Sequence, residues 1–168
     1  IGSASETNDI FYYSIKDNSA SSGNYELWSY TIAAPAFETG YPMASNISKE
    51  NFEIKVKTDK AGKVYYVVLS DGATAPTAAE VKAGTGSSGA SAVTSSNATL
   101  SAETEKSLSI STSISGNTSY DVYVVVEDNS SSPLLQSSPT LVNVTTSANT
   151  LPLFASGSPS VSVASNGT

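Results

Sequence analysis

Phe52, Ile54 and Val56 alternate with Glu53, Lys55 and Lys57. Successive side chains of a strand point to opposite faces, so this period of two turns the three apolar residues inward. The next run, KVYYVVL from Lys63 to Leu69, is almost continuously β-branched and aromatic, which suits a central strand. Gly62, just before it, reads as the turn. Tyr120–Glu127 is a second strong strand. Weaker runs lie at 92–100 and 108–114, a short strand precedes Phe52, and Leu141–Thr145 closes the set. Thr77 followed by Glu80 is a capping-box pattern, and Gly84 follows a short helical stretch. The spacing predicts one short helix over 78–83 and a mobile Gly/Ser-rich loop over 84–91. The predicted class is all-β: a Greek-key β-sandwich of about seven strands with one short helix.

Two runs upstream, Ile10–Ile15 and Tyr25–Ile32, are also strand-like and rich in aromatics. A two-stranded ribbon alone is marginal in water, so these strands must pack on something. Internal repeats indicate what. The segment PAFETGYP, Pro35 to Pro42, recurs as PLFASGSP, Pro152 to Pro159, at a spacing of 117 residues. DIFYYSIKDNSAS from Asp9 matches DVYVVVEDNSSS from Asp121, offset by 112 at the start and 111 at the Asp-Asn. The one-residue difference is the size of a bulge. The matches keep their order, as in a tandem array. Residues 1–33 therefore read as the last two strands of a preceding repeat. Residues 34–147 read as one complete sandwich, and 148–168 as a linker and the first strand of a following repeat.

Composition narrows the function. The chain of 168 residues carries a net charge of −7, which repels phosphate backbones and anionic lipid and argues against nucleic-acid binding. No apolar stretch is long enough to cross a bilayer as a helix, so membrane insertion is not expected. No basic-then-apolar leader stands in the sequence, so the signal of a secreted protein would lie outside it. Cys and His are both absent. That removes disulfides, thiolate nucleophiles, the Ser-His-Asp arrangement and the usual zinc sites. Abundant Ser and Thr with only 14% charged residues fit an extracellular or cell-surface protein.

The strongest local motif is Ile114-Ser-Gly-Asn-Thr118-Ser-Tyr120. It resembles the tyrosine corner of fibronectin type III domains, in which the Tyr hydroxyl bonds back to the preceding turn and pins a Greek-key crossover. The runs GKVYYVVLSDGATAPTAAEVKAG and VYVVVEDNSSSPLLQSSPTLVNVTT resemble a fibronectin III-like or immunoglobulin-like repeat of large bacterial secreted and adhesin-type proteins. The resemblance covers nearly the whole of residues 34–147. It implies an extracellular spacer or adhesin module, with no catalytic residue to carry over. Ile114, Thr118 and Tyr120 would then form the corner, while Phe52 and Tyr66 serve the core. Phe52 stands where animal type III domains carry Trp, and an Arg-Gly-Asp tripeptide is absent.

Candidate chemistry is sparse. Glu103 with Glu105 and Glu127 with Asp128 are the nearest approach to the paired carboxylates of glycoside hydrolysis, but the first pair lies in a polar turn and the second ends a strand and enters an Asn/Ser loop, so both read as solvated loop acids. Asp17-Asn18-Ser19 and Asp128-Asn129-Ser130 are oxygen-rich turns that fall short of a calcium loop, since Asp and Asn favour turns for their own capping bonds. No catalytic, cofactor or metal residue is assigned. Sequons for glycosylation stand at Asn46, Asn97, Asn117, Asn129, Asn143 and Asn166. Phe11, Tyr12, Tyr13, Tyr25, Trp28 and Tyr30 either stack on sugars or, more simply, pack. Three roles remain open. The first is a structural or adhesive repeat in a tandem array, with neighbouring repeats of the same chain as partners and a glycan or other surface ligand at its tip. The second is a filament subunit completed by strand exchange with identical subunits. The third is a carbohydrate-binding module.

Overall fold

The computed structural model describes residues 10–16, 25–31, 33–148 and 156, the first two of these stretches by their backbone alone. Its elements are β1 (Ile10–Lys16), β2 (Tyr25–Thr31), β3 (Met43–Ser45), β4 (Phe52–Val56), β5 (Gly62–Ser70), α1 (Ala78–Ala83), β6 (Thr94–Leu100), β7 (Lys106–Ile110), β8 (Ser119–Asp128) and β9 (Thr140–Thr145). Strands β3 to β9 make two antiparallel sheets, ordered β3-β4-β7 and β6-β5-β8-β9. The chain changes sheet after β4, after β6 and after β7, which makes a Greek-key β-sandwich.

The period-two alternation works as read. Phe52, Ile54 and Val56 are fully buried and face Val64, Tyr66, Val68, Tyr120, Val122, Val124 and Val126 from the other sheet. Phe52 and Tyr120 meet with ring centroids 6.4 Å apart. Burying each large apolar side chain is worth roughly 1.5–3 kcal/mol, so this seam dominates the fold. The unbroken apolar runs of β5 and β8 have a second cause. Their outward residues Val67, Leu69, Tyr123 and Val125 are buried too, beneath Ala78 and Val81 of α1. Strands covered on both faces lose the alternation.

The helix begins and ends as its sequence predicts. Thr77 Oγ1 accepts the Glu80 N–H at 3.3 Å, and a Glu80 carboxylate oxygen accepts the Thr77 N–H at 2.7 Å. Gly84 closes it in the left-handed region at φ 79°. The other Glu80 oxygen accepts the Ser88 N–H at 2.6 Å and holds the turn Ser87–Gly89 against the helix. Within residues 84–91, backbone bonds from Gly86 to Ala90 and from Ala90 to Ser87 close the turn that this carboxylate ties to the helix.

Two strand boundaries differ from the sequence reading. Gly62 is the first residue of β5, not the turn before it. A Cβ there would stand 2.0 Å from the Glu127 carbonyl oxygen, so the close crossing of β5 and β8 requires glycine. Strand β7 ends at Ile110, four residues short of Ile114. Ser113 turns the chain with φ 59°, yet Ile114 is still buried beneath the loop.

Among the described residues, strands β1 and β2 pair only with each other, from Ile10↔Thr31 to Lys16↔Tyr25. Shifting β1 by 112 residues and β2 by 111 carries Ile10↔Thr31 onto Val122↔Val142. The same shift carries Phe11↔Tyr30 onto Tyr123↔Leu141 and Tyr12↔Ser29 onto Val124↔Thr140. All three are observed β8–β9 pairs. Strands from a preceding repeat are expected to keep Tyr12 and Trp28 out of the central core, but those side chains lie outside the described residues. The same is true of the expected strand around Val161 and Val163, of the Pro152–Pro159 motif except Ser156, and of Asn166.

Candidate functional site: the two poles of the sandwich

Strand β5 runs from Gly62, paired with Asp128, to Ser70, paired with Tyr120. Nine residues at ~3.3 Å each separate these ends by roughly 25–30 Å. The chain enters beside the turn that precedes Gly62 and leaves after Thr145, which pairs with Ser119 at the far end. Entrance and exit thus lie at opposite poles.

The corner pole is built by the loop between β7 and β8. Tyr120 is 4% exposed, and its hydroxyl accepts the Ser115 N–H at 2.8 Å, the bond that the corner motif predicts. Thr118 Oγ1 donates to the Gly116 carbonyl at 3.0 Å. Thr146, equally buried, accepts the Thr118 N–H at 3.0 Å and donates to the Ser115 carbonyl at 2.6 Å. The departing Ser147 then receives the Asn117 N–H and donates its own N–H to Ser48, both at 3.0 Å. The last strand is therefore knotted into the crossover by hydroxyl and peptide groups.

The linker pole holds the segment from Ala33 to Glu38. Its backbone pairs antiparallel with the end of the β4 arm, through the Phe37↔Thr58 bridge and bonds between Glu38 and Lys57 and between Asp59 and Ala36. Side chains add to this. An Asp59 carboxylate oxygen accepts the Ala36 N–H at 2.7 Å, Lys60 Nζ donates to the Ala33 carbonyl, and Gln136 Nε2 donates to the Pro35 carbonyl at 2.9 Å. Pro35 is buried, and Phe37 packs against the main core. An open depression of about 430 Å³ lies here, lined in part by Pro35, Phe37, Tyr41, Gln136 and Ser138. A second, of about 400 Å³, lies between the β5–α1 loop and Gly86–Ser91.

The candidate carboxylate pairs do not converge. Glu127 and Asp128 are consecutive strand residues and point to opposite faces. Glu127 accepts the Tyr65 hydroxyl at 3.0 Å and the Lys82 ammonium. Asp128 Oδ1 accepts the Ser130 hydroxyl at 2.7 Å, the Leu134 N–H at 3.1 Å and the Ser130 N–H at 3.2 Å. Burial alone would raise its pKa, but these bonds outweigh burial and hold it below the usual value. The oxygen-rich turn thus spends its acceptor on its own loop. Glu105 accepts Lys55 Nζ at 2.8 Å and the Tyr41 hydroxyl at 2.5 Å, and these bonds, Lys55 first, lower its pKa. Glu103 sits in a turn at φ 54°. Among the described residues, no group of three or more Asp or Glu is placed to hold a metal ion.

Every sequon asparagine within the described residues is exposed. Asn46 and Asn117 occupy turns with φ 47° and 52°, Asn129 a loop, and Asn97 and Asn143 the edge strands β6 and β9. Asn46 Nδ2 also donates to Glu53 at 2.9 Å. The sequence reading found the corner but missed Thr146, Asp59, Lys60 and Gln136. No local pattern marks them, because each acts on a part of the chain far from it in sequence.

No known protein family matches the chain, and neither a curated protein nor a solved structure is detectably similar to it.

Proposed function

We propose that the chain is a non-catalytic structural or adhesive repeat module of an extracellular surface or filament protein, of the fibronectin III-like kind. The register of β1 against β2 carries this reading. Three of its pairs superpose on β8–β9 pairs when β1 is shifted by 112 residues, the offset of the Asp9 and Asp121 motifs, and β2 by 111. A hairpin with the pairing of the last two strands, placed just ahead of a complete sandwich, is what a preceding repeat would leave in the chain.

The opposed poles support the same reading. A module that is entered at one end and left at the other extends a string of copies without folding it back. The Cys-free, Ser/Thr-rich, weakly charged composition supports an extracellular setting, and the exposed sequon asparagines are candidate glycan sites there. The partners in this reading are the flanking repeats.

The mass of the mature polypeptide on a denaturing gel tests it. A chain of many hundreds of residues is expected. A mature species near 17.2 kDa would refute the array and favour a self-assembling subunit completed by strand exchange. Protease shaving of intact cells tests the location, since an extracellular array loses its domain signal without lysis.

A further inference from the structure

We propose that Gln136 is a latch that fixes the direction in which one repeat joins the next. The proposal rests on the array reading and concerns the joint that the reading requires.

The linker meets the two sheets in different ways. Its backbone pairs with the chain following β4, so it belongs by hydrogen bonding to the three-stranded sheet. Gln136 provides the tie to the four-stranded sheet. Leu135 bridges Glu127, and the Gln136 N–H donates to the Val126 carbonyl at 3.0 Å. The regular β8–β9 ladder resumes only at Val124↔Thr140. Four residues of β8, 124 to 127, thus face six on the other side, 135 to 140, and the two surplus residues loop out. That bulge leaves the Val126 N–H without a backbone acceptor. Gln136 Oε1 fills the gap at 3.0 Å, and the same carboxamide donates through Nε2 to the Pro35 carbonyl. One planar group therefore joins β8 to the linker.

Gln suits this position in a way that its neighbours in chemistry do not. It must accept from a peptide N–H and donate to a peptide carbonyl at once. A carboxylate offers only acceptors, and an ammonium only donors. Proline at position 35 adds stiffness, since its ring fixes φ.

The consequence reaches the preceding repeat. Only three residues separate Thr31, the end of β2, from Pro35. At no more than ~3.6 Å per residue, that end lies within about 14 Å of Pro35. With Pro35 anchored to both sheets, only the three residues between it and Thr31 are left to set the angle of the joint. The recurrence of the Pro-x-Phe-x-x-Gly-x-Pro pattern at 152–159 suggests that the next repeat is entered through the same device.

The test uses the 168-residue chain with Gln136→Glu and Gln136→Ala, read by backbone relaxation and amide exchange. In the parent chain, the amides of Ala34 and Ala36 should show order parameters near ~0.85, as rigid backbone does. Gln136→Glu keeps an acceptor for Val126 but sets a carboxylate against the Pro35 carbonyl. Exchange at Ala36 should then rise about tenfold while Val126 stays protected, and Gln136→Ala should expose both. Order parameters below ~0.6 at Ala34 and Ala36 in the parent chain would overturn the latch. So would a rise at Ala36 of less than about threefold in Gln136→Glu, which remains informative if the alanine variant fails to fold. Failure of the latch leaves the mass measurement untouched, so the joint and the array can fail separately.

Discussion

The two poles of the sandwich solve the same problem with different chemistry. At the corner pole, the outgoing chain is held by the buried hydroxyls of Tyr120 and Thr146 and the half-buried one of Thr118, which bond to peptide groups of the same crossover. At the linker pole, the incoming chain is held by exposed or half-buried groups: Asp59, Lys60 and Gln136 reach across from other strands. A buried polar group left without a partner costs its full desolvation, whereas an exposed one falls back on water. The corner should therefore act as part of the folding unit. The linker pole should set local order and contribute little to global stability.

Thr146→Val is the harshest test of that difference. Valine keeps the shape of threonine and removes the hydroxyl, so the Thr118 N–H and the Ser115 carbonyl both lose a partner. A fully buried orphan costs about 1–3 kcal/mol; both of these bonds are half-buried, so chemical denaturation should show a loss of roughly 2–3 kcal/mol in all. A loss below ~1 kcal/mol would mean that water replaces the hydroxyl and that this pole is not sealed. Tyr120→Phe is the milder form. It preserves the ring packing on Phe52 and orphans only the Ser115 N–H, so about 1–3 kcal/mol is expected from the same measurement.

The contrast also explains what could be read from the sequence. The corner is local: Ser115 and Tyr120 are five residues apart, so a motif carries it. The inner face was legible because alternation in Phe52–Val56 directly encodes a strand with one buried side. The helix was legible because its cap is written in Thr77, Glu80 and Gly84. The role of Gly62 was not, because it depends on β8 passing 2.0 Å from an atom that glycine lacks. Gln136 and Pro35 are 101 residues apart and meet only once both sheets exist. A lone Gln in a Ser/Pro-rich loop gives no hint of that meeting.

Asp59→Ala probes the linker pole at its most exposed bond. The Ala36 N–H loses a carboxylate acceptor, but solvent reaches it. The global denaturation midpoint should move little, on the order of 0.5 kcal/mol in stability, while amide exchange at Ala36 accelerates. A global loss as large as that of Thr146→Val would erase the distinction between the poles.

Acid should separate the poles with no mutation at all. Glu105 and Asp128 both lie at the linker end of the strands, and each has its pKa lowered by folding. Their ordinary values are 4.5 and 3.8. A carboxyl whose folded pKa lies below its unfolded one contributes its stabilisation fully above the unfolded value. It loses that contribution as pH falls through the folded one. Nothing should therefore change between pH 7 and about 5. Below the ordinary values, protonation weakens the Lys55–Glu105–Tyr41 contact and the bonds from Ser130 and Leu134 to Asp128. The hydroxyl and peptide groups that knot Thr146 into the crossover include no carboxyl, so that pole lacks the same trigger. Residue-resolved amide exchange during an acid titration should show Leu134 and Ser130 losing protection first, with Thr118 following only at global unfolding. Simultaneous loss at Leu134 and Thr118 would show that the two ends open as one cooperative unit, and that the division between a sealed corner and a yielding linker pole is wrong.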